Sequence, residues 1–385
     1  MTRKPRTRLI HKREGGRIHP TVNPPVERGS TLLLDTSDEL YGAGKTYGRM
    51  GLSVHRELEA ALRDLEDAQA VQLTSSGLTA CALAIASITR SGDHIVAQDS
   101  LYGPTRRFCE RRLKAMGVET SFFPPRDFEA LEAALTPKTR AVFLETPGSL
   151  TFECPDLLRI VEFAKARNVR VVVDNTWSAG VFLQPLTLGV DVSVQALTKY
   201  VGGHSDAFGG AVMSGDPSTA RLIERTAQDW GLSASPDDAA LLLRGLRTLH
   251  TRLDHHQEQA STLADWLAVR SEVELILHPA RPDHPDHEIW ARDFSGSSGL
   301  FSAVLKPTSE TGLAAFFDGL ELFGLGFSWG GFESLAIPAR NLRRLPGDWS
   351  GASGGELVRF HVGLEDIEDL KDDLARAFER LVRAD

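Results

Sequence analysis

Hydrophobic positions along the chain fall into two alternating rhythms. Leu and Ala recur at helical spacing between 54 and about 67, and the apolar run Ala70-Val-Gln-Leu-Thr then passes through Ser75-Ser76-Gly77-Leu78 into a second helix. The exchange repeats downstream: strands are predicted over 94–98, 118–123, 141–144 and 169–173, with helices over 104–115, 128–135 and 157–166 between them. A further strand rich in β-branched residues is predicted over 191–197. Strands and helices in regular alternation with short links imply an α/β architecture, a mostly parallel doubly wound sheet with right-handed crossovers. Past 209 the chain turns helical, and apolar spacing over 237–267 predicts one long connecting helix. The remainder reads as α+β: strands over 273–277, 299–305 and 357–362, a helix over 310–323, and a final amphipathic helix with Ile367, Leu370, Leu374, Phe378 and Leu381 on one face. Residues 1–50, with many Pro, Gly, Arg and Thr and little periodicity, read as an extended arm. The expected organisation is therefore the arm 1–50, a large domain 51–245 and a smaller C-terminal α+β domain 246–385, since 385 residues exceed what one core comfortably holds.

Two of the predicted strands end in charged residues. Val169-Arg-Val-Val-Val runs into Asp174, and Asp191-Val-Ser-Val-Gln-Ala-Leu-Thr runs into Lys199, which glycines and small polar residues follow. Ligands of α/β sheets gather at such strand ends. A partly desolvated Lys there disfavours its ammonium form and offers a nucleophilic amine; a Lys that snorkels to solvent is the alternative. An Asp there caps a turn or helix, or, facing that Lys across the sheet edge, partners a pyridinium nitrogen opposite a Schiff-base lysine. Ser76-Gly77-Leu78 opens a helix, where free N–H groups and the helix dipole suit a phosphate, although an ordinary cap needs no ligand.

The segments Asp174-Asn-Thr-Trp-Ser-Ala-Gly180, Thr198-Lys199-Tyr200 and Gly203-His-Ser-Asp206 resemble the pyridoxal-phosphate enzymes of cysteine and methionine metabolism, the transsulfuration family, and matching motifs follow in order from about Thr7 to the last helix. The resemblance implies the fold type I (aspartate aminotransferase) architecture and pyridoxal 5'-phosphate as cofactor. It implies Lys199 as the Schiff-base and catalytic lysine, Asp174 as the pyridine partner, and Tyr102 as the ring that stacks on the cofactor and moves protons near the substrate amine. Ser76, Gly77, Leu78, Thr176 and Thr198 would complete the cofactor site, and Tyr47 and Arg49 would reach the cofactor phosphate of a neighbouring subunit. Arg359, Ser328 and Trp329, with Tyr102, would form the substrate pocket, Arg359 gripping the α-carboxylate. The same side chains also read as turns, rim packing and a structural ion pair. Two departures stand out: Leu78 where relatives often carry Met, which leaves the amide donor intact, and Ala196 where several carry Ser. The loop Glu145-Thr-Pro-Gly-Ser lies over the same edge, and no role falls to Glu145. Tyr102-Gly-Pro-Thr, Glu145-Thr-Pro-Gly-Ser, Ser328-Trp-Gly-Gly and Gly363-Leu-Glu-Asp look most like the branch that cleaves cystathionine at its β carbon. A small amino-acid substrate, cystathionine or a related thioether, is implied, with γ-acting relatives and other carbon–sulfur lyases as alternatives. A homo-oligomer, a tetramer built as a dimer of dimers, is implied with it.

Bulk properties narrow the field further. A net charge of −9 spread along the chain argues against a nucleic-acid partner, and no G-x-G-x-x-G marks a dinucleotide fold. Cys81, Cys109 and Cys154 lack metal-ligand or C-x-x-C spacing, so reduced thiols and no metal are expected. Apolar runs fall far short of a membrane span and the basic start lacks a signal peptide's hydrophobic stretch, so a cytoplasmic protein without a membrane partner is expected. His278, His284 and His287, among Pro-Asp segments, read as a solvated surface loop.

Overall fold

The computed structural model describes residues 4–11, 21–42, 44–339 and 355–384. Parts of the predicted arm (1–3, 12–20 and 43) and of the C-terminal domain (340–354 and 385) lie outside the described residues. Seven strands form the large sheet: β1 Ala70–Thr74, β2 His94–Gln98, β3 Glu119–Phe123, β4 Thr139–Glu145, β5 Arg170–Asp174, β6 Val192–Gln195 and β7 Gly210–Ser214, in the order β1-β7-β6-β5-β4-β2-β3. Pairs from β3 across to β6 are parallel, and β7 alone runs antiparallel to both of its neighbours. The α/β fold type I expectation is met.

The run Val171-Val172-Val173 shows why these strands lack polar alternation. Val171 and Val173 pack into the core on one face and Val172 into the core on the other, so both faces are covered and every position is apolar. The second sheet is antiparallel, in the order β10-β11-β9-β8, from β8 Val273–Leu277, β9 Leu300–Leu305, β10 Leu335–Pro338 and β11 Glu356–His361. The terminal helix Ile367–Ala384 buries Leu370, Leu374, Phe378 and Leu381 against it, as its periodicity predicts. Leu277 and Leu300 of this part join the core of the large sheet, so the two sheets share a continuous apolar seam.

Four local expectations are corrected. The helix predicted over 237–267 is two helices, Pro236–Arg247 and Leu249–Ala268, broken at Thr248. Gly245 sits so close to the backbone after Lys199 that a Cβ would lie 2.2 Å from the Gly202 carbonyl, and Arg252 ties its own Nη2 to the Gly245 carbonyl at 2.8 Å. This tertiary seating, invisible to periodicity, bends the path. The helix expected over 310–323 stops at Asp318, with Gly319 following. In the arm, Pro5–Ile10 forms a short helix that buries Leu9, while Val22, Leu33 and Tyr41 remain exposed. Finally, the histidine segment is no solvated loop: His278 and His284 are buried, and 287–293 is helical. Asp286 organises the segment by accepting from Arg126 at 2.7 Å and from the Cys154 amide at 2.9 Å, and burial drives His278 down to about 3.

Candidate active site

The site is assembled where β4, β5 and β6 end on the carboxyl edge of the large sheet. The strand predicted over 191–197 ends early, at Gln195, because Ala196 to Gly203 folds into a turn: the Lys199 amide donates to the Ala196 carbonyl and the Gly203 amide to the Lys199 carbonyl. Lys199 thereby leaves the sheet edge and points its Nζ toward the smaller sheet, 2.9 Å from the Ser328 Oγ and 5.2 Å from the centre of the Trp329 ring. Burial and the positive charge of Arg359 lower its pKa to about 8, against the pull of Asp174. The free-amine fraction near neutrality is thereby far larger than that of an ordinary lysine, although the ammonium still predominates.

Asp174 closes β5 and is almost fully buried. Its Oδ1 accepts from the Thr176 amide at 3.1 Å and from the Thr176 hydroxyl, and its Oδ2 faces the Cys81 thiol at 3.5 Å. Burial raises its pKa, while these donors and Lys199 oppose the rise. Thr176 in turn accepts the Ala196 amide at 2.9 Å, so its hydroxyl positions Asp174 and links β5 to the Lys199 turn.

Glu145, directly opposite Asp174 in the β4–β5 register, is the feature to which the sequence attached no role. It accepts the Tyr102 amide and the Ser149 hydroxyl, and burial together with the Asp174 charge pushes it well above the usual carboxylate range. Both carboxyls of this facing pair are raised, Glu145 by burial and the Asp174 charge and Asp174 by burial, while the Thr176 and Cys81 donors and Lys199 oppose the rise at Asp174. The signal was present: Val142-Phe-Leu-Glu145 repeats the pattern of Val171-Val-Val-Asp174. Tyr102 stands above the pair, partly exposed, and its phenol is raised chiefly by burial, then by Glu145, Cys81 and Asp174.

Ser76 caps the helix Gly77–Ser87 by accepting the Thr79 amide, and the amides of Gly77 and Leu78 belong to its unpaired first turn. A Cβ on Gly77 would lie 2.4 Å from that of Ala196, so this helix end can rest on the Lys199 turn only as glycine. Ala196 is where several relatives carry Ser, and here its methyl fills that contact. The Thr198 hydroxyl is 3.2 Å from the Gly209 carbonyl and 3.1 Å from the Gly209 amide.

Arg359, on β11, is buried without a carboxylate partner among the described residues. Three carbonyls hold its fork instead: Phe327 at 3.1 Å, Gly326 at 3.0 Å and Ser328 at 3.0 Å, and its Nε has no partner among the described residues. Burial lowers it to about 10, so it remains a cation that carbonyl dipoles do not neutralise, within electrostatic reach of Lys199 and Tyr102. Tyr47 and Arg49 lie elsewhere. Arg49 stacks over the Tyr47 ring at 5.7 Å and lines a cleft of ≈ 610 Å³ with Gln69, Gln72 and Ser214, where β1 begins and β7 ends, the edge opposite Lys199.

Without its two edge residues, the set still fits pyridoxal phosphate: a lowered amine, a buried carboxyl faced by the Thr176 and Cys81 donors, unpaired helix-start amides for a phosphate, and a desolvated guanidinium for an amino-acid carboxylate. Comparisons with known proteins agree. Residues 6–379 match the family model of Cys/Met metabolism PLP-dependent enzymes. The cystathionine beta-lyase of Bordetella avium is 41% identical over 371 residues, covering 93% of this chain and 92% of its own. The cystathionine beta-lyase MetC of Escherichia coli K12 is 38% identical over 373 residues, covering 94% of each chain. The crystal structure of cystathionine gamma synthase from Xanthomonas oryzae pv. oryzae in complex with cystathionine superposes with a TM-score of 0.91 at 31% identity, covering all of both chains. The chain belongs to the Cys/Met metabolism family of PLP-dependent enzymes, and pyridoxal phosphate is its cofactor.

Proposed function

We propose that the protein is a cystathionine β-lyase, splitting the Cβ–S bond of L-cystathionine to give homocysteine, pyruvate and ammonia. The observation that supports this reading is the placement of Lys199 Nζ beside Ser328 and Trp329, with Arg359 held on the Ser328 carbonyl, an arrangement that suits an amino-acid carboxylate next to a base. Arg359 binds the substrate carboxylate through its planar fork, which orients the Cα–H toward Lys199. Lys199, neutral in a useful fraction because burial and Arg359 lower its pKa, accepts that proton. Bound pyridoxal phosphate supplies the electron sink for the pair left at Cα. Asp174 would keep the proton at the ring nitrogen in place, and burial together with the Asp174 charge raises Glu145 behind it, which disfavours a second anion there. Tyr102 would stack on the ring and give a proton to the departing thiolate. Ser76, Gly77, Leu78 and Thr198 hold the phosphate, and Tyr47 and Arg49 of a second copy complete it, so the working unit is at least a dimer. We expect it in the cytoplasm, organised into the three segments read from the sequence.

The second reading is a γ-acting relative, favoured by the close superposition on the Xanthomonas oryzae gamma synthase. A substrate panel separates the two by product. Pyruvate from L-cystathionine, with none from Lys199→Ala, supports the β-lyase; 2-oxobutyrate as the main keto acid, or a replacement product without pyruvate, moves the enzyme to the γ branch.

A further inference from the structure

The stretch Phe327-Ser-Trp-Gly-Gly-Phe-Glu333 brings Ser328 and Trp329 to Lys199, yet it crosses an open face: Phe327 and Phe332 on it are 86% and 52% exposed. Arg359 holds its first residues by their carbonyls, and a fully buried side chain at the end of β11 secures its middle. His361 Nε2 accepts the Gly330 amide at 2.9 Å, and Nδ1 faces the Glu333 carbonyl at 3.0 Å. An amide only donates and a carbonyl only accepts, so both bonds form only if the ring is neutral with its proton on Nδ1. The loop so held has no slack. Gly330 adopts φ +84°, and a Cβ there would lie 2.7 Å from the Tyr200 nitrogen and 2.9 Å from the Lys199 carbonyl carbon. Any shift of Gly330 is therefore felt by the backbone that carries the amine. Tyr200 and His256 flank the imidazole at 5.9 and 5.4 Å, and Tyr200 also packs on Trp329 at 5.5 Å, which extends the support to the pocket wall.

We propose that His361 is a positioning residue for the substrate pocket: by clasping the Gly330 amide and the Glu333 carbonyl together, it sets the register of Ser328 and Trp329 against Lys199. This rests on the proposal that the pocket takes the amino-acid substrate. Burial keeps the imidazole neutral, and His256, Arg359 and Lys199, the basic groups that face it, act in the same sense, so the acceptor at Nε2 persists over the working pH range. No other side chain supplies a rigid acceptor and donor on opposite sides at this spacing. A Gln keeps the acceptor, while a Leu fills the volume with neither.

The test compares the holoenzymes of the parent, His361→Gln and His361→Leu. The Leu variant should keep its cofactor, raise KM for L-cystathionine about tenfold, and shift the pH midpoint of the cofactor's visible band, because the surroundings of Lys199 move. The Gln variant should recover most of both. A Leu variant with the parental KM and midpoint overturns the proposal, as does one whose only defect is a smaller folded fraction, or a Gln variant as impaired as Leu. Should the Leu variant fail to accumulate, nitrogen-15 shifts of His361 in the parent decide: a neutral ring protonated on Nδ1 supports the clasp, and a proton on Nε2 overturns it. If the parent makes no pyruvate from L-cystathionine, the reaction assignment fails while the band midpoint and the ring tautomer still judge His361.

Discussion

Lys199 and Ser328 meet across the seam between the two sheets, Nζ 2.9 Å from Oγ, although 129 positions separate them in the chain. The amine of the large sheet is thus aligned by a hydroxyl that the smaller sheet presents. Ser328→Ala should lower kcat/KM for L-cystathionine about three- to tenfold, the worth of one such hydrogen bond, with the cofactor band retained. A variant with unchanged kinetics would show that the contact does not orient the amine.

The charge state of Lys199 makes a prediction about the cofactor-free protein. Its folded pKa of about 8 lies below the ordinary 10.5, so between these values the unfolded chain binds more protons and stability rises with pH. Below pH 8 the folded state bears the full cost of a buried ammonium. Lys199→Met in the cofactor-free form should therefore be more stable than the parent by about 1–3 kcal/mol at pH 7, and the gain should fade toward pH 10.5. Denaturant unfolding at pH 7 and 10 measures this directly.

Asp174→Asn keeps the shape and the contact with Thr176 but removes the charge. Turnover should fall by on the order of 10²–10³-fold, with cofactor content near parental. Absorbance at saturating pyridoxal phosphate, alongside pyruvate release, separates loss of chemistry from loss of binding.

Arg359→Lys should raise KM for the amino-acid substrate about 10- to 100-fold with a smaller change in kcat, because a point charge can neither span the three carbonyls nor fork onto a carboxylate. Steady-state kinetics over a wide substrate range reads the split.

Arg49 and Lys199 lie on opposite edges of the sheet in one chain, which calls for a second copy if both serve one site. Arg49→Ala and Lys199→Ala, each nearly inactive alone, should recover about a quarter of parental activity when unfolded and refolded together at equal concentration, since half of random dimers then hold one intact site. No recovery would place Arg49 outside the site.

What the sequence determined by itself was local and periodic. Runs such as Val171-Val-Val place strands because sheets buried on both faces need apolar residues at every position. Asp174 and Lys199 were legible because each is a charge ending such a run. The roles for Arg359, Ser328 and Trp329 came from resemblance, since nothing in their spacing ties them to a strand end more than a hundred residues away. Only the tertiary structure decided how the supports meet: Glu145 beside Asp174 through strand register, Gly77 against Ala196, Gly245 against the turn after Lys199, and His361 under Gly330. It also turned His278 and His284 inward, where polar composition pointed to solvent. The physical reason is one of range. Periodicity reports which face of an element is buried, whereas the facing partner, and with it every pKa shift and close backbone approach, depends on elements that the chain brings together only when it folds.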